Sequence, residues 1–146
     1  MSLNPITIRN LGPEDAHLLD RVREGVFEGE PDPARAWAFL ATRVNEMVVA
    51  LDRGEVVGFI AGTVIMHADR PTQFAISQVS VHPDLRRTGI GTRLLRRACE
   101  LAADRGCESI VATIDAGNSD SRAFFARYSE GVQSVRVSFS SLDIGS

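Results

Sequence analysis

The sequence predicts a mixed α/β fold: an antiparallel first half, a strand–helix–strand crossover in the second half, and helices flanking the sheet. Three observations carry this. Three strand-like runs, 45–52, 55–67 and 73–82, follow one another with only tight turns between them. One long helical period then fills 89–105, and a further apolar strand, 109–115, follows the glycine that ends that helix.

The elements follow in order. Residues 6–9 alternate apolar and polar side chains, the period of a short strand. Gly12-Pro13 opens a helix predicted to run through about Val26, with Pro13, Glu14 and Asp15 in its first turn. Residues 27–33 (FEGEPDP) form a carboxylate-rich loop, and Asp32-Pro33 reads as an N-cap followed by N1 of a second helix through about Thr42. Strand 45–52 turns back through Arg53-Gly54 into strand 55–67, and residues 68–71 turn again into strand 73–82. The next helix has Ile90, Leu94, Leu95, Ala98 and Leu101 on one side and ends at Gly106 as C′ glycine. Strand 109–115, a polar loop 116–119, a short helix 120–129 and an alternating strand 132–139 complete the chain. An exposed edge on that last strand would make a homodimer unsurprising.

Composition excludes whole classes. All sixteen positive side chains are arginine. Without lysine there is no Walker-type phosphate loop, no kinase ATP-binding lysine and no enzyme Schiff base. A net charge of −3 speaks against global nucleic-acid binding. With 146 residues, 44% hydrophobic and 24% charged, the chain is expected to form one domain over 1–146. No apolar run approaches the roughly 18 residues of a membrane helix. Residues 1–11 lack a signal-like apolar core, so the expected location is cytoplasmic, with no membrane partner. Cys99 and Cys107 are expected as reduced thiols that pack as small apolar groups. Three scattered histidines and two cysteines do not make metal-ligand spacing, so no metal is expected.

The segment richest in chemistry is 79–95, VSVHPDLRRTGIGTRLL. A strand ends at His82-Pro83, a turn holds Arg86, Arg87 and Thr88, and Gly89 and Gly91 stand at the start of a helix. Unsatisfied N–H groups and the positive helix end suit a phosphate there. Glycine lets the backbone come close to the anion, and arginine adds charge-assisted donors. From Asp84 to Arg105 there are six arginines against three acids, a local +3. A solvated, glycine-capped helix is the plain alternative. A Rossmann reading fails because Leu94 occupies its third glycine position.

The combination strand–Pro–Arg–Gly-x-Gly–helix resembles the acetyl-CoA signature of the GNAT N-acetyltransferase superfamily, Arg/Gln-x-x-Gly-x-Gly/Ala, here Arg86-Arg87-Thr88-Gly89-Ile90-Gly91. Residues 114–128 (IDAGNSDSRAFFARY) are similar to that family's later motif, an asparagine followed by a short helix with an aromatic. The resemblance implies acetyl-CoA as co-substrate and two central strands, 73–82 and 109–115, splayed around it. It implies that Val79, Ser80 and Val81 hold the pantetheine and thioester. The N–H groups of Arg87, Thr88, Gly89, Ile90, Gly91 and Thr92 would hold the pyrophosphate, with Asn118 and Phe125 beside the pantetheine arm.

Two departures bear on mechanism. Where members often carry an acidic general base, this chain has Gln78; where they often carry an acidic tyrosine, it has Phe125, with Tyr128 three residues on. Candidate acid–base groups are therefore Glu28, Glu30, Asp115 and Tyr128, with His67 a further base candidate or a structural histidine. Glu28, Glu30 and Asp32 read either as a site for a cationic amine or as a solvated loop. The implied function is acetyl transfer to a primary amine of a small-molecule or peptide acceptor by direct attack, a step that orientation can accelerate by ~7–11 kcal/mol. A non-catalytic CoA-binding regulatory module is the alternative that Gln78 and Phe125 motivate. A longer acyl-CoA is a second alternative, which the small residues Ala61, Gly62 and Ser80 would admit. The FEGEPDP loop, the HADRP turn and the VRVSF strand are loosely similar to aminoglycoside 3-N-acetyltransferases within the superfamily.

Overall fold

A computed structural model describes residues 5–112 and 119–128. It divides into two compact units, one ending at Val111 and one starting at Ala112. The first unit is built on β1 (Thr7–Asn10), α1 (Pro33–Ala41), β2 (Asn45–Asp52), β3 (Glu55–Ile65), β4 (Gln73–Val81) and α2 (Ile90–Asp104); β5 (Ser109–Ala112) ends at the division. The second holds α3 (Ser119–Ala126). The sheet order is β1-β2-β3-β4-β5, with β1 to β4 antiparallel in sequence. After the α2 crossover, β5 joins β4 at the beginnings of both strands, where Glu108 N–H donates to Thr72 O at 2.9 Å. The predicted strand 132–139 lies outside the described residues.

Local chemistry accounts for most boundaries. Asp32 caps α1 by accepting from Ala34 N–H at 3.2 Å, and Pro33 takes N1. Arg53 and Gly54 both take positive φ (53° and 81°), the two-residue turn whose twist suits a hairpin. Strands 55–67 and 73–82 end slightly early, at Ile65 and Val81.

The first helix is the substantial correction. It is a 3-10 helix over Pro13–Asp20, not a helix through Val26. Its entry is held by Asp15, which accepts from Gly12 N–H at 2.9 Å and from Arg9 Nη2 at 2.6 Å. Tertiary pairing stops it. β4 leaves the sheet after Val81, and residues 21–23 take the vacated edge of β3, with Val22 bridged in parallel to Val56. Val56 N–H donates to Arg21 O at 2.8 Å, and Arg23 N–H donates to Val56 O at 2.9 Å. Helical propensity is a weak prior against two such ladder bonds to a buried strand.

The sheet has two packed faces. One carries Met47, Val49, Leu51, Phe59 and Ala61 against Leu11, Leu19, Val26 and Leu40. Register places Val48, Ala50, Ile60, Val64, Phe74 and Ile76 on the other, and α2 lies across β2, β3 and β4 there. Ile90, Leu94, Leu95, Ala98 and Ala102 are the buried stripe of α2. Leu94 is fully buried, so truncating it to alanine removes about 2–5 kcal/mol of stability.

Candidate active site

The site begins with a bulge in β4. Ala61 pairs with Gln78 while Gly62 pairs with Ile76, so Ser77 is the extra residue. Its hydroxyl donates to Ala61 O at 3.3 Å. The bulge keeps Phe74, Ile76, Val79 and Val81 on the α2 face despite their odd spacing, and puts Gln78 and Ser80 on the α1 face beside Ala61 and Phe59. The sequence held the signal. The apolar phase of QFAISQVSV shifts between Ile76 and Val79, which strict alternation forbids.

The end of β4 then offers an outward edge. His82 N–H donates to Val57 O at 2.8 Å, so His82 faces β3. Alternation along the strand turns the N–H and C=O of Val81, and of Val79, the opposite way. Arg86 Nε reaches Val81 O from that side at 3.4 Å, in agreement. β5, described over Ser109–Ala112, starts level with β4.

Past Val81 the chain makes a 3-10 turn (Pro83–Leu85) capped by His82, whose Nδ1 accepts from Asp84 N–H at 3.2 Å. Two left-handed residues follow, Arg87 at φ 65° and Gly89 at φ 87°. Thr88 Oγ1 donates to Leu85 O and closes the loop. Gly89 is the N-cap of α2 and has no side chain for its N–H groups; the first intrahelical bond is Arg93 N–H to Gly89 O at 3.1 Å. The first-turn N–H groups of Ile90 and Gly91 therefore need an outside acceptor. A Cβ at Gly89 would meet nothing within 4 Å, so the approach to this helix end is open. Backbone donors, an exposed Arg87 and the helix dipole form a donor set that fits a pyrophosphate.

The local +3 of the sequence is only partly available to a ligand. Arg93 Nη2 donates to Ile6 O at 3.0 Å, and Arg97 Nε to Asn10 Oδ1 at 3.0 Å, tying α2 to β1. Arg97 also pairs with Glu100 at 2.7 Å. Arg105 pairs with Glu46 and donates to Arg43 O at 2.6 Å. Of the six arginines, Arg86 and Arg87 stand in the loop itself.

On the α1 face, Phe27 lies on Phe59 with ring centroids 4.3 Å apart and planes tilted by 32°. Phe59 is the register partner of Ser80. Glu28 and Glu30 are exposed on the loop that follows Phe27, whereas Asp32 is committed to capping α1. Gln78 is exposed on β4, and its amide can hydrogen-bond an amine but cannot take its proton. His67 Nε2 bonds Gln73 Oε1 at 2.8 Å, a structural role at the start of β4. Trp37 is more than half exposed. In the second unit, Phe124 packs edge-on to Phe125 at 5.1 Å and against Tyr128 at 5.5 Å. Asp115 and Asn118 lie outside the described residues. The thiols of Cys99 and Cys107 are free; Cys99 is exposed and Cys107 only partly buried, so neither packs in the core as expected, and what burial each has raises its pKa.

Residues 16–129 match the acetyltransferase (GNAT) family. The chain belongs to that family. It is therefore an N-acetyltransferase by class, and GNAT acetyltransferases use acetyl-CoA. No curated protein matches it in sequence. Solved structures share the GNAT fold. An aminoglycoside acetyltransferase from an uncultured soil metagenomic sample is similar at TM-score 0.79 and 21% identity, covering 93% of this chain and 98% of that one. A ribosomal-protein-alanine N-acetyltransferase from Brucella melitensis biovar Abortus is similar at TM-score 0.74 and 22% identity, covering 92% and 100%. An aminoglycoside N-acetyltransferase in complex with CoA is similar at TM-score 0.77 and 17% identity, covering 95% of each chain. Among the described residues no helix is long and apolar enough to cross a membrane.

Proposed function

We propose that this GNAT chain, as one domain over 1–146, transfers the acetyl group of acetyl-CoA to a primary amine of a small cationic acceptor. The observation that carries this is the continuity of two anion- and amide-binding features: the outward edge of Val79 and Val81 leads directly into the Arg87–Gly91 turn at the start of α2. Val79 and Val81 hold the pantetheine amides in strand-like pairing, and the family resemblance makes Asn118 and Phe125 further candidates for contact with the pantetheine arm. The N–H groups of Ile90 and Gly91, assisted by Arg86, Arg87, Thr88 and Thr92, hold the pyrophosphate.

Acetyl-CoA supplies an activated acyl carbon. The acceptor nitrogen attacks that carbon, the C–N bond forms and the C–S bond breaks. Val81 N–H donates to the thioester oxygen as negative charge builds on it. The nitrogen loses a proton, through water or to Glu28, Glu30 or Asp115, and the departing thiolate gains one, with Tyr128 the candidate donor. Orientation along the β4 edge supplies a large share of the rate, of the ~7–11 kcal/mol scale known for aligned reactants.

Two exposed carboxylates, Glu28 and Glu30, on the loop after Phe27 support a cationic acceptor. So does the similarity in fold to aminoglycoside acetyltransferases, while the ribosomal-protein-alanine enzyme keeps a peptide N-terminus within the acceptor panel. Release of free thiol from acetyl-CoA is measured with spermidine, sisomicin and an alanine-initiated peptide. Turnover of at least one, with mass spectrometry showing one added acetyl group on nitrogen, is the expected result. CoA binding with no thiol release from any amine would instead assign a binding module.

A further inference from the structure

The two faces of β4 differ in what can approach them. α2 lies across β2, β3 and β4 on the face where Val79 and Val81 point. On the α1 face Ser77 and Gln78 are exposed and Ser80 is half-buried. An acceptor bound for a thioester along the Val79–Val81 edge therefore has its open approach on the α1 face. The side chains there are uncharged: Phe59 stands beside Ser80, Ala61 beside Gln78 and Thr63 beside Ala75. Among the described residues, the charged side chain bonded to this stretch is a cation, Arg86, whose Nε donates to Val81 O at 3.4 Å. The nearby titratable groups have other engagements. His67 bonds Gln73 Oε1 at 2.8 Å, and His82 Nδ1 accepts from Asp84 N–H at 3.2 Å. Asp52 and Glu55, at the turn between β2 and β3, pair with Arg23. Glu28 and Glu30 are exposed on the loop after Phe27, and Asp84 is exposed on the turn after β4.

We propose that the reacting nitrogen is received beside Gln78 and Ser80 as the neutral amine, so that the enzyme selects weakly basic amines: an α-amino group, or the least basic nitrogen of a polyamine. This rests on the acetyl-transfer reading above. An ammonium brought to the Val81 edge loses water and meets the Arg86 guanidinium, and both effects favour its uncharged form. The neutral amine still has N–H to donate. Gln78 Oε1 and the Ser80 hydroxyl are acceptors for it, while the nitrogen lone pair attacks the acyl carbon. The C–N bond forms, the C–S bond breaks, and the proton that nitrogen then sheds balances the one the thiolate gains. A neutral amine therefore calls for no net proton uptake by a side chain. Glu28 and Glu30 serve the acceptor's other cationic groups. At pH 7.5 about a third of an α-amino group of pKa ~7.8 is neutral, against about one part in a thousand of an alkylamine of pKa ~10.4.

The test follows kcat/KM of the full chain from about pH 5.5 to 9.5 with each amine of the panel that turns over, at saturating acetyl-CoA. The amine's own pKa is measured by NMR titration. kcat/KM is expected to rise about tenfold per pH unit and to level at that pKa, near ~8 for the peptide α-amino group and near ~10 for spermidine. Gln78→Glu sets a carboxylate on the same face, where it pairs with an ammonium and takes its proton. It is expected to raise kcat/KM at pH 6 about fivefold and to flatten the rise. Levelling below about pH 7, at a value that does not follow the acceptor, overturns the inference alone. So does a Gln78→Glu enzyme with the wild-type profile, which would place the amine elsewhere. A wild-type protein that binds CoA yet releases no thiol with any amine overturns the acetyl-transfer reading and this inference with it.

Discussion

At its first turn α2 is preceded by Arg86, Arg87 and Gly89; at its last it is followed by Arg105 and Gly106. Both glycines are left-handed, at φ 87° and 77°, and a Cβ at either would meet nothing within 4 Å. The arginines differ. Arg105 is spent on Glu46 and on Arg43 O, where it joins α2 to the start of β2. Arg87 is exposed on a left-handed turn beside N–H groups that the helix cannot satisfy. The same residue type therefore serves structure at one end and the proposed anion site at the other. Among the described residues, what separates Arg105 from Arg87 is a protein acceptor within reach.

That contrast can be broken at several points. The largest separation is expected from the glycines. Gly89→Ala and Gly106→Ala each force alanine into left-handed geometry and should each cost about 1–2 kcal/mol in denaturant unfolding. Only Gly89→Ala should also raise the KM for acetyl-CoA, by about tenfold, because its methyl group stands where the anion approaches. Equal KM values for the two variants would place the cofactor elsewhere.

The arginines come next. Arg87→Ala should weaken CoA about fivefold to tenfold while leaving the melting temperature unchanged, since a charge-assisted bond contributes ~1–1.5 kcal/mol. Arg105→Ala should show the reverse, a loss of about 1 kcal/mol in stability with CoA affinity unaltered. Raising salt from about 0.05 M to 0.5 M should reduce wild-type CoA affinity severalfold, through screening of an exposed site, and should do less to Arg87→Ala.

The smallest effect concerns the corner that anchors the middle of α2, where Arg93 and Arg97 reach Ile6 and Asn10. Asp15 stabilises that corner. The N–H of Gly12 holds its carboxyl below the ordinary carboxylate value, burial opposes this, and Arg9 adds to the lowering. The folded state thus favours the charged form. Its contribution is complete above the ordinary pKa near ~3.9 and disappears as pH falls through the lower folded value. Asp15→Asn should remove about 1 kcal/mol at neutral pH and flatten the acid limb of the stability curve below about pH 4.

Much of this molecule was legible in the sequence, and the exceptions have physical causes. The hairpin turn at Arg53-Gly54, the Asp32 cap and the Gly106 stop are local chemistry, and all three appear where the residues place them. The resemblance in Arg86–Gly91 anticipated the family because the turn's geometry depends on few residues. The end of the first helix was not legible, since residues 21–23 obey a vacancy on β3 that exists only after β4 departs. The bulge at Ser77 was written in the apolar phase but masked by the assumption of a regular strand. Charge counting also misled: three of the six arginines between 84 and 105 were already engaged by Ile6, Asn10, Glu46 and Arg43, partners distant in sequence.

The central claim is that CoA is held at the first turn of α2. Titration calorimetry of CoA into the wild type, Arg86→Ala/Gly89→Ala and Arg105→Ala/Gly106→Ala tests it most directly. The account predicts one site per chain in the wild type. It predicts a loss of affinity of about thirtyfold or more in the first double variant, roughly two charge-assisted contacts. It predicts a change within about twofold in the second. Unchanged CoA binding in Arg86→Ala/Gly89→Ala, or an equal loss in both double variants, would contradict it.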